Sequence, residues 1–272
     1  MNDDALSPVI AVMLILAVAV TIFSVYNAEY LPGMKQQAEV EHLQKVEESM
    51  VRFGSAVENA ISLKRPMSLS ESVILGGGDI LLHSSRSSGT IRVQQEEDPV
   101  IFVWIETSTE RIQVPLHFVN FSYWPMDNFW VDQGYSWQYG YINVSRVSGG
   151  RMYDSVPLQY STMESVKLNV LQNSSLYKSL IHYERPSDSS NNLTLFAVNL
   201  VPGAKNFSSG NGVASFTLKA EVDTDGQYFK NVDSVNFSSG NTPFRDIQYY
   251  QNTTLGGGNV TLKMINITVS TS

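Results

Sequence analysis

Nine Asn-x-Ser/Thr triplets are the densest chemistry-bearing pattern in this 272-residue sequence. They begin at Asn120, Asn143, Asn173, Asn192, Asn206, Asn236, Asn252, Asn259 and Asn266, and none has proline in the middle. In such a triplet the carboxamide nitrogen is an acceptor for an oligosaccharide, and the site must lie on the surface of an exported domain. From the chain's own content of Asn, Ser and Thr, chance gives about three or four triplets. The same residue types favour turns and strand ends, so the triplets name candidate acceptors rather than occupied ones. Glycans are added outside the membrane, which puts the triplet-bearing part of the chain outside the cell and the N-terminus inside.

The run Tyr123-Trp124-Pro125-Met126-Asp127-Asn128-Phe129-Trp130 continues through Tyr135, Trp137, Tyr139 and Tyr141. Exposed on an irregular segment, Trp124, Trp130 and Trp137 would make a binding surface for carbohydrate or protein. Packed inward, they would close a corner of the domain instead. Glu221, Asp223, Asp225 and Gly226 partly imitate a calcium loop. Val232 stands where the bidentate Glu belongs, which excludes an EF-hand and leaves a looser cation site or a hairpin turn.

Other chemistry is excluded or unmarked. Cysteine is absent, which removes disulfides, thiolate metal sites and cysteine catalysis together. His42, His83, His117 and His182 never pair at metal-ligand spacing. There is no G-x-S-x-G, no H-E-x-x-H, no phosphate-binding glycine loop and no dinucleotide fingerprint. No catalytic residue, cofactor or metal site is assigned, and the chain is not expected to be an enzyme. A net charge of −8 and a pI near 5.0 give no electrostatic footprint for nucleic acid. Charged residues make up only 16%, against a usual value of about 25%. The surface must be polar but uncharged.

These residues need an exported scaffold, and the N-terminus supplies its anchor. Leu6 to Tyr26 is 21 positions without a charge, about 31 Å as a helix, which matches the hydrocarbon core of a bilayer. A secretory signal peptide would need a basic start, a shorter apolar stretch and a small-x-small cleavage site after it; here the start is acidic and Asn27-Ala28-Glu29-Tyr30 makes a poor cleavage site. Pro32-Gly33 predicts a kink or short break beyond it. Helical periodicity resumes from Met34 to about Lys64, with Leu43, Met50 and Val57 seven apart and Val46, Phe53 and Ala60 beside them. Glu39, Glu41, Lys45, Glu48 and Glu58 fall on the opposite, solvated face. The stripe packs against the chain's own β domain or against neighbouring subunits. Arg65-Pro66 ends the helix.

From Met67 onward short alternating runs bounded by Gly, Pro, Asn and Ser predict an all-β domain with its own core. Val100–Ile105, Leu193–Val201, Val213–Val222 and Val260–Val269 are clear examples. In the last, a one-residue phase slip between Met264 and Ile265 predicts a bulge. Asp225-Gly226 predicts a hairpin turn. Two short echoes, Asn206–Asn211 with Asn236–Asn241 and Leu75–Gly78 with Leu255–Gly258, reflect repeated turn chemistry. The strands fit a sandwich, in one lobe or in two parting near Gly149-Gly150.

The string Asp4-Ala5-Leu6-Ser7-Pro8-Val9-Ile10-Ala11-Val12 resembles the N-terminus of archaeal type IV pilins. In that family a membrane peptidase cuts after the small residue that follows a charged one. The resemblance implies cleavage between Ala5 and Leu6 by a pilin-type signal peptidase. Ser7-Pro8-Val9-Ile10 carries most of it, and proline suits a first helical turn that has no use for its missing N–H. Bacterial pilins carry an acid where this chain has Ile10, and the archaeal relatives also lack it. The whole layout is similar to the larger pilin-like surface proteins of methanogenic archaea.

The expected fold is α+β: a leader (1–5), a transmembrane helix (6–31), an amphipathic stalk helix (32–65) and a β-rich, sandwich-like extracellular domain (66–272). The expected protein is a pilin-like, single-pass cell-surface subunit with a glycosylated head, a minor pilin or adhesin. Its expected partners are membrane lipid and like subunits or other pilins through the N-terminal helix, and it is expected in surface filaments. A non-assembling single-span surface or ligand-binding protein is the alternative.

Overall fold

The computed structural model describes residues 6–77, 87–126, 128, 130–148, 151–157, 175–187, 191–239 and 252–272. Helix α1 covers Leu6–Val25, a π-helical turn covers Tyr26–Tyr30, and α2 covers Leu31–Leu63. Pro32-Gly33 therefore does not break the helix. Proline lacks a donor and crowds the carbonyl four residues back, Ala28. The wider π turn, closed by Leu31 N–H on the Tyr26 carbonyl, absorbs that conflict just upstream. At the other end Lys64 takes the left-handed conformation (φ 50, ψ 40), and its N–H bonds the Ala60 carbonyl at 3.3 Å, capping the helix before Arg65-Pro66.

Strands β1 (Met67–Ile74), β2 (Ser88–Gln95), β3 (Ile101–Thr107), β4 (Arg111–Leu116) and β5 (Val119–Met126) follow. Next come β6 (Gln133–Gln138), β7 (Tyr141–Ser148), β8 (Arg151–Pro157), the short helix α3 (Ser175–Ser179) and β9 (Ile181–Glu184). The chain ends with β10 (Leu193–Pro202), β11 (Phe207–Gly210), β12 (Val213–Val222), β13 (Gln227–Ser239) and β14 (Thr253–Thr271). The larger sheet runs β1-β12-β14-β13-β3-β4, with β10 and then β9 on the other side of β14; the smaller runs β11-β2-β5-β6-β7-β8. Among the described residues all pairs are antiparallel except β10 with β14. The two sheets interleave along the chain, so it does not divide into two consecutive lobes. Gly149-Gly150, the expected parting point, lies outside the described residues.

Three turn and bulge expectations are corrected. Asp225-Gly226 makes no hairpin. β12 pairs with Ile265–Thr271 and β13 with residues nearer the start of β14, both antiparallel and end to end along the same strand. The intervening turn is an insertion in one strand course, held by Gly226 N–H on Asp223 Oδ1 at 3.0 Å. The phase slip at Met264/Ile265 is not a bulge either, because β10 and β14 pair without a register shift from Leu193↔Val260 to Pro202↔Val269. In both strands the buried positions change parity at the same rung: Leu193, Leu195 and Ala197 give way to Val198 and Leu200, as Val260 and Leu262 give way to Ile265 and Ile267. Side chains alternate faces strictly along a strand, so the two halves of this ladder bury opposite faces. Finally, Leu75–Gly77 follows β1 whereas Leu255–Gly258 lies within β14, where Gly256 and Gly257 adopt positive φ. That echo has no common structure.

α2 is the element that joins the sheets. It packs on β1 and β12 of the larger sheet and on β6 and β7 of the smaller. The predicted stripe is buried in full: Leu43, Val46, Met50, Phe53, Val57 and Ala60, together with Ile61. Phe53 meets Phe121 of β5 edge-on at 4.9 Å and stacks on Phe216 of β12 at 5.1 Å. Phe121 in turn stacks on Trp137 of β6 at 4.9 Å and 11°. Gly54 lets the helix come this close, since a Cβ there would stand 2.7 Å from Trp137 Cδ1.

The part of α2 from Glu39 to Ile61 is therefore a core element of the head, whereas residues 31–38 bury no side chain. Burying Leu43, Val46, Met50, Phe53, Val57 and Ile61 stabilises by about 9–18 kcal/mol at the usual value per side chain. That is comparable to the net stability of most domains, about 5–15 kcal/mol. α2 and the strands from Met67 onward share one core. A chain beginning at Met67 should lack a cooperative melt, whereas one beginning near Gln36 should keep it; near-ultraviolet circular dichroism separates the two. In the full chain Phe53→Ala should cost about 3–5 kcal/mol. Gly54→Ala gains about 1 kcal/mol of helix propensity and loses roughly 1–3 kcal/mol to the clash. A lowered urea midpoint checks both, and a cooperative melt from the Met67 chain would contradict the account.

Candidate functional site

The apolar segment comes first, because it dictates where the rest can sit. The helix from Pro8 to Leu63 runs 56 residues, and its apolar window has no residue buried against the chain. Val12, Met13, Leu14, Ile15 and Leu16 all stand exposed on α1. Two polar groups on this stretch are satisfied within the helix: Thr21 Oγ1 donates to the Ala17 carbonyl and Asn27 Nδ2 to the Phe23 carbonyl, each at 2.8 Å. Such internal pairing is what a solvent without hydrogen-bond partners requires. Tyr26 and Tyr30 mark the end of the apolar run, where amphipathic rings favour a membrane–water boundary. Of the expected processing residues, Leu6 opens α1 and Ala5 lies outside the described residues.

The candidate glycan acceptors are spread over both sheets. Asn192, Asn206, Asn252 and Asn266 are exposed, and Asn120, Asn143, Asn236 and Asn259 are half-buried. Asn173 lies outside the described residues. Asn120 Nδ2 donates to Glu96 Oε1 at 3.0 Å, Asn236 Nδ2 to Ser234 Oγ at 3.1 Å and Asn259 Nδ2 to Asn192 Oδ1 at 3.1 Å. Asn252 and Asn266 instead use their oxygens, accepting from Phe237 N–H at 3.1 Å and Asn199 Nδ2 at 3.4 Å.

Part of the aromatic run is strand: Tyr123 and Trp124 lie in β5, Tyr135 and Trp137 in β6 and Tyr141 opens β7, while Trp130 lies in the β5–β6 connection. Trp137 is only 1% exposed, so it is a core side chain and no part of a binding surface. Trp124 and Trp130 are half-buried. Glu39, expected on the solvated face, is buried because its Oε2 accepts the backbone N–H groups of Trp130 at 3.0 Å and Val131 at 3.2 Å. The carboxylate ties the β5–β6 connection to α2. Nothing in the helical periodicity marks this exception. Among the described residues no cluster of His, Asp and Glu could hold a metal ion, and Asp223 is used by its own turn.

His42 is a second feature that spacing does not disclose. It is buried in α2 beside a groove of about 410 Å³ lined by Glu41, Lys45, Gly76, Gly77, Asn211 and Gly212. Its Nε2 stands 2.7 Å from the Ile74 carbonyl. A carbonyl only accepts, so Nε2 carries the proton and Nδ1 is the bare nitrogen. Nδ1 is buried and has no partner among the described residues. A Cβ on Gly77 would lie 2.7 Å from the His42 Cβ, so the chain after β1 closes directly over this ring.

Comparison with family models, curated proteins and solved structures yields no match. The site is accordingly read from its own geometry.

Burial holds the His42 pKa below its ordinary value, outweighing the Ile74 hydrogen bond that raises it. As pH falls, the unfolded chain takes up the proton first. The stabilisation from neutral His42 is thus present above about pH 6.5 and lost as pH drops toward the lower folded value. His42→Gln should flatten the pH dependence of stability between about pH 7 and pH 5, as measured by thermal unfolding. An unchanged slope would show that the ring titrates without cost.

Proposed function

We propose that the chain is a membrane-anchored, pilin-like surface subunit whose apolar helix α1 sits in the bilayer or among like helices and whose head carries glycans outside the cell. The observation that carries this reading is the uncovered α1, continuous with a helix built into the head. A soluble protein does not leave such a surface to water. The N-terminal string Ala5-Leu6-Ser7-Pro8-Val9-Ile10 supports processing by a pilin-type peptidase. The described triplet asparagines, none of them buried, support glycosylation of an external head. Their spread over both sheets fits a minor subunit or adhesin displayed to the surroundings.

The alternative, a single-span surface protein that does not assemble, draws support from α2. Its apolar stripe is consumed by the head, which leaves α1 as the helical surface available to neighbours.

The chain has no cysteine, so single introduced thiols test topology cleanly. Ser70→Cys, on an exposed position of β1, should react with a membrane-impermeant maleimide on intact cells, and Val12→Cys should not. Ala5→Trp should block cleavage, leaving Met1 in place of Leu6 at the mature N-terminus. Val12→Glu should cost several kcal/mol, about 2.5–3.5 kcal/mol on insertion scales, and abolish both membrane retention and assembly. Protection of Ser70→Cys would reverse the topology. Met1 retained on protein from surface filaments would remove the processing step, and wild-type protein that never forms filaments would leave the non-assembling alternative.

A further inference from the structure

A glycosylation triplet is read at two places, the asparagine and the hydroxyl two residues on, because its middle residue is free to vary. A transferase must therefore reach both side chains and take the backbone between them into its own groove. The folded head meets these demands unequally.

Three triplets are closed. Ser122, the hydroxyl of the Asn120 triplet, is 5% exposed, and Ser145, that of the Asn143 triplet, is 1% exposed. Both stretches lie inside the smaller sheet and are paired on two sides. Ser122 pairs with Arg92 of β2 and Ser136 of β6, and Asn143 with Ser136 of β6 and Pro157 of β8. In the Asn236 triplet Ser238 Oγ accepts Trp104 Nε1–H at 2.8 Å. Its backbone pairs with β3 from Asn236↔Trp104 to Ser238↔Phe102, and β13 is an interior strand of the larger sheet. Lifting any of these stretches out breaks the ladder of an interior strand, which opens only with the head.

Two triplets are open. The Asn206 triplet runs into β11, an edge strand of the smaller sheet that pairs with β2 alone. Asn206 is exposed, and Phe207 beside it is 52% exposed. The Asn252 triplet opens β14, and both Asn252 and Thr254 are exposed. Among the described strands β14 is paired there on one side only, through Val235↔Thr253 and Ser234↔Thr254; β10 joins it from Val260 onward. Asn252 Oδ1 accepts the Phe237 N–H at 3.1 Å. A backbone N–H only donates, so the oxygen is the end of this carboxamide that faces the sheet.

Resting on the glycoprotein reading above, we infer that Asn206 and Asn252 are acceptors in the folded head, whereas Asn120, Asn143 and Asn236 take a glycan only before the sheets close. The donor is an oligosaccharide joined through its C1 to a lipid phosphate. The Nδ2–C1 bond forms as the C1–O bond to phosphate breaks, the electron pair leaves with the phosphate, and the Nδ2 proton passes to a base of the transferase.

The test uses the folded full chain, made without glycans and held in detergent, with an Asn-x-Ser/Thr oligosaccharyltransferase and its lipid-linked oligosaccharide. Synthetic peptides spanning the same five triplets receive the same treatment, and glycopeptide mapping reads each site. All five peptides should be modified, but on the folded chain only Asn206 and Asn252 among these five. Thr254→Ala should abolish modification at Asn252 and leave Asn206 unchanged. Phe53→Ala, which weakens the packing of α2 on both sheets, should raise modification at the three closed triplets by more than about tenfold, because the opened head is more populated. Glycans on Asn120, Asn143 or Asn236 of the folded wild-type chain at the rate of their peptides would overturn the inference. So would a folded chain bare at Asn206 and Asn252 although their peptides are modified. A transferase that accepts a standard acceptor peptide and none of these five would instead remove the glycoprotein reading, and this inference with it.

Discussion

The close approach of α2 to Trp137 and the two sheets is the constraint on which the rest of the head depends. Phe53 stands between Phe121 of one sheet and Phe216 of the other, and Gly54 beside it removes the atom that would hold the helix off. A helix at this distance leaves no slack in the interface, because interiors are packed to the density of organic crystals. Both sheets are then referred to one rigid element, although neither is contiguous in sequence. Glu39 and His42 extend the same docking toward the α1 end, one by gripping backbone N–H groups and the other by filling space under Gly77.

This arrangement couples the apolar helix to the head. α1 and α2 are one helical course, interrupted in hydrogen-bond pattern only by the π turn at Tyr26–Tyr30. A chain held by α1 would thus hold its head through the head's own core rather than through a flexible tether. The glycan candidates lie on strands distant in sequence from that course, so modification need not disturb it.

Much of this was legible in the residues. A run of uncharged apolar positions, a seven-residue stripe and alternating strands are local patterns, and each corresponds to an element observed. What the stripe would face was open, and its burial against both sheets answers it. The misread features share a cause: their outcome depends on partners far away in sequence. A phase slip looks the same whether a strand bulges or its buried face changes, and only the unbroken pairing with β10 distinguishes them. Asp225-Gly226 has hairpin chemistry, yet β14 accepts both flanking strands along one edge. Trp137 belongs to an aromatic run that could face outward or close a corner of the domain, and only Gly54 beneath it shows which. Glu39 is charged and helical, and only the two N–H groups opposite it explain its burial.

Hydrogen exchange on the full chain reconstituted in a bilayer tests the central claim most directly, namely that α2 is part of the head's core and continuous with the anchor. Amides from Val46 to Ile61 should exchange in the same slowest class as those of β12 and β14, because they open only with the whole head. Exchange of that segment well before the strands would show a helix merely resting on a self-sufficient β domain, and would contradict the account.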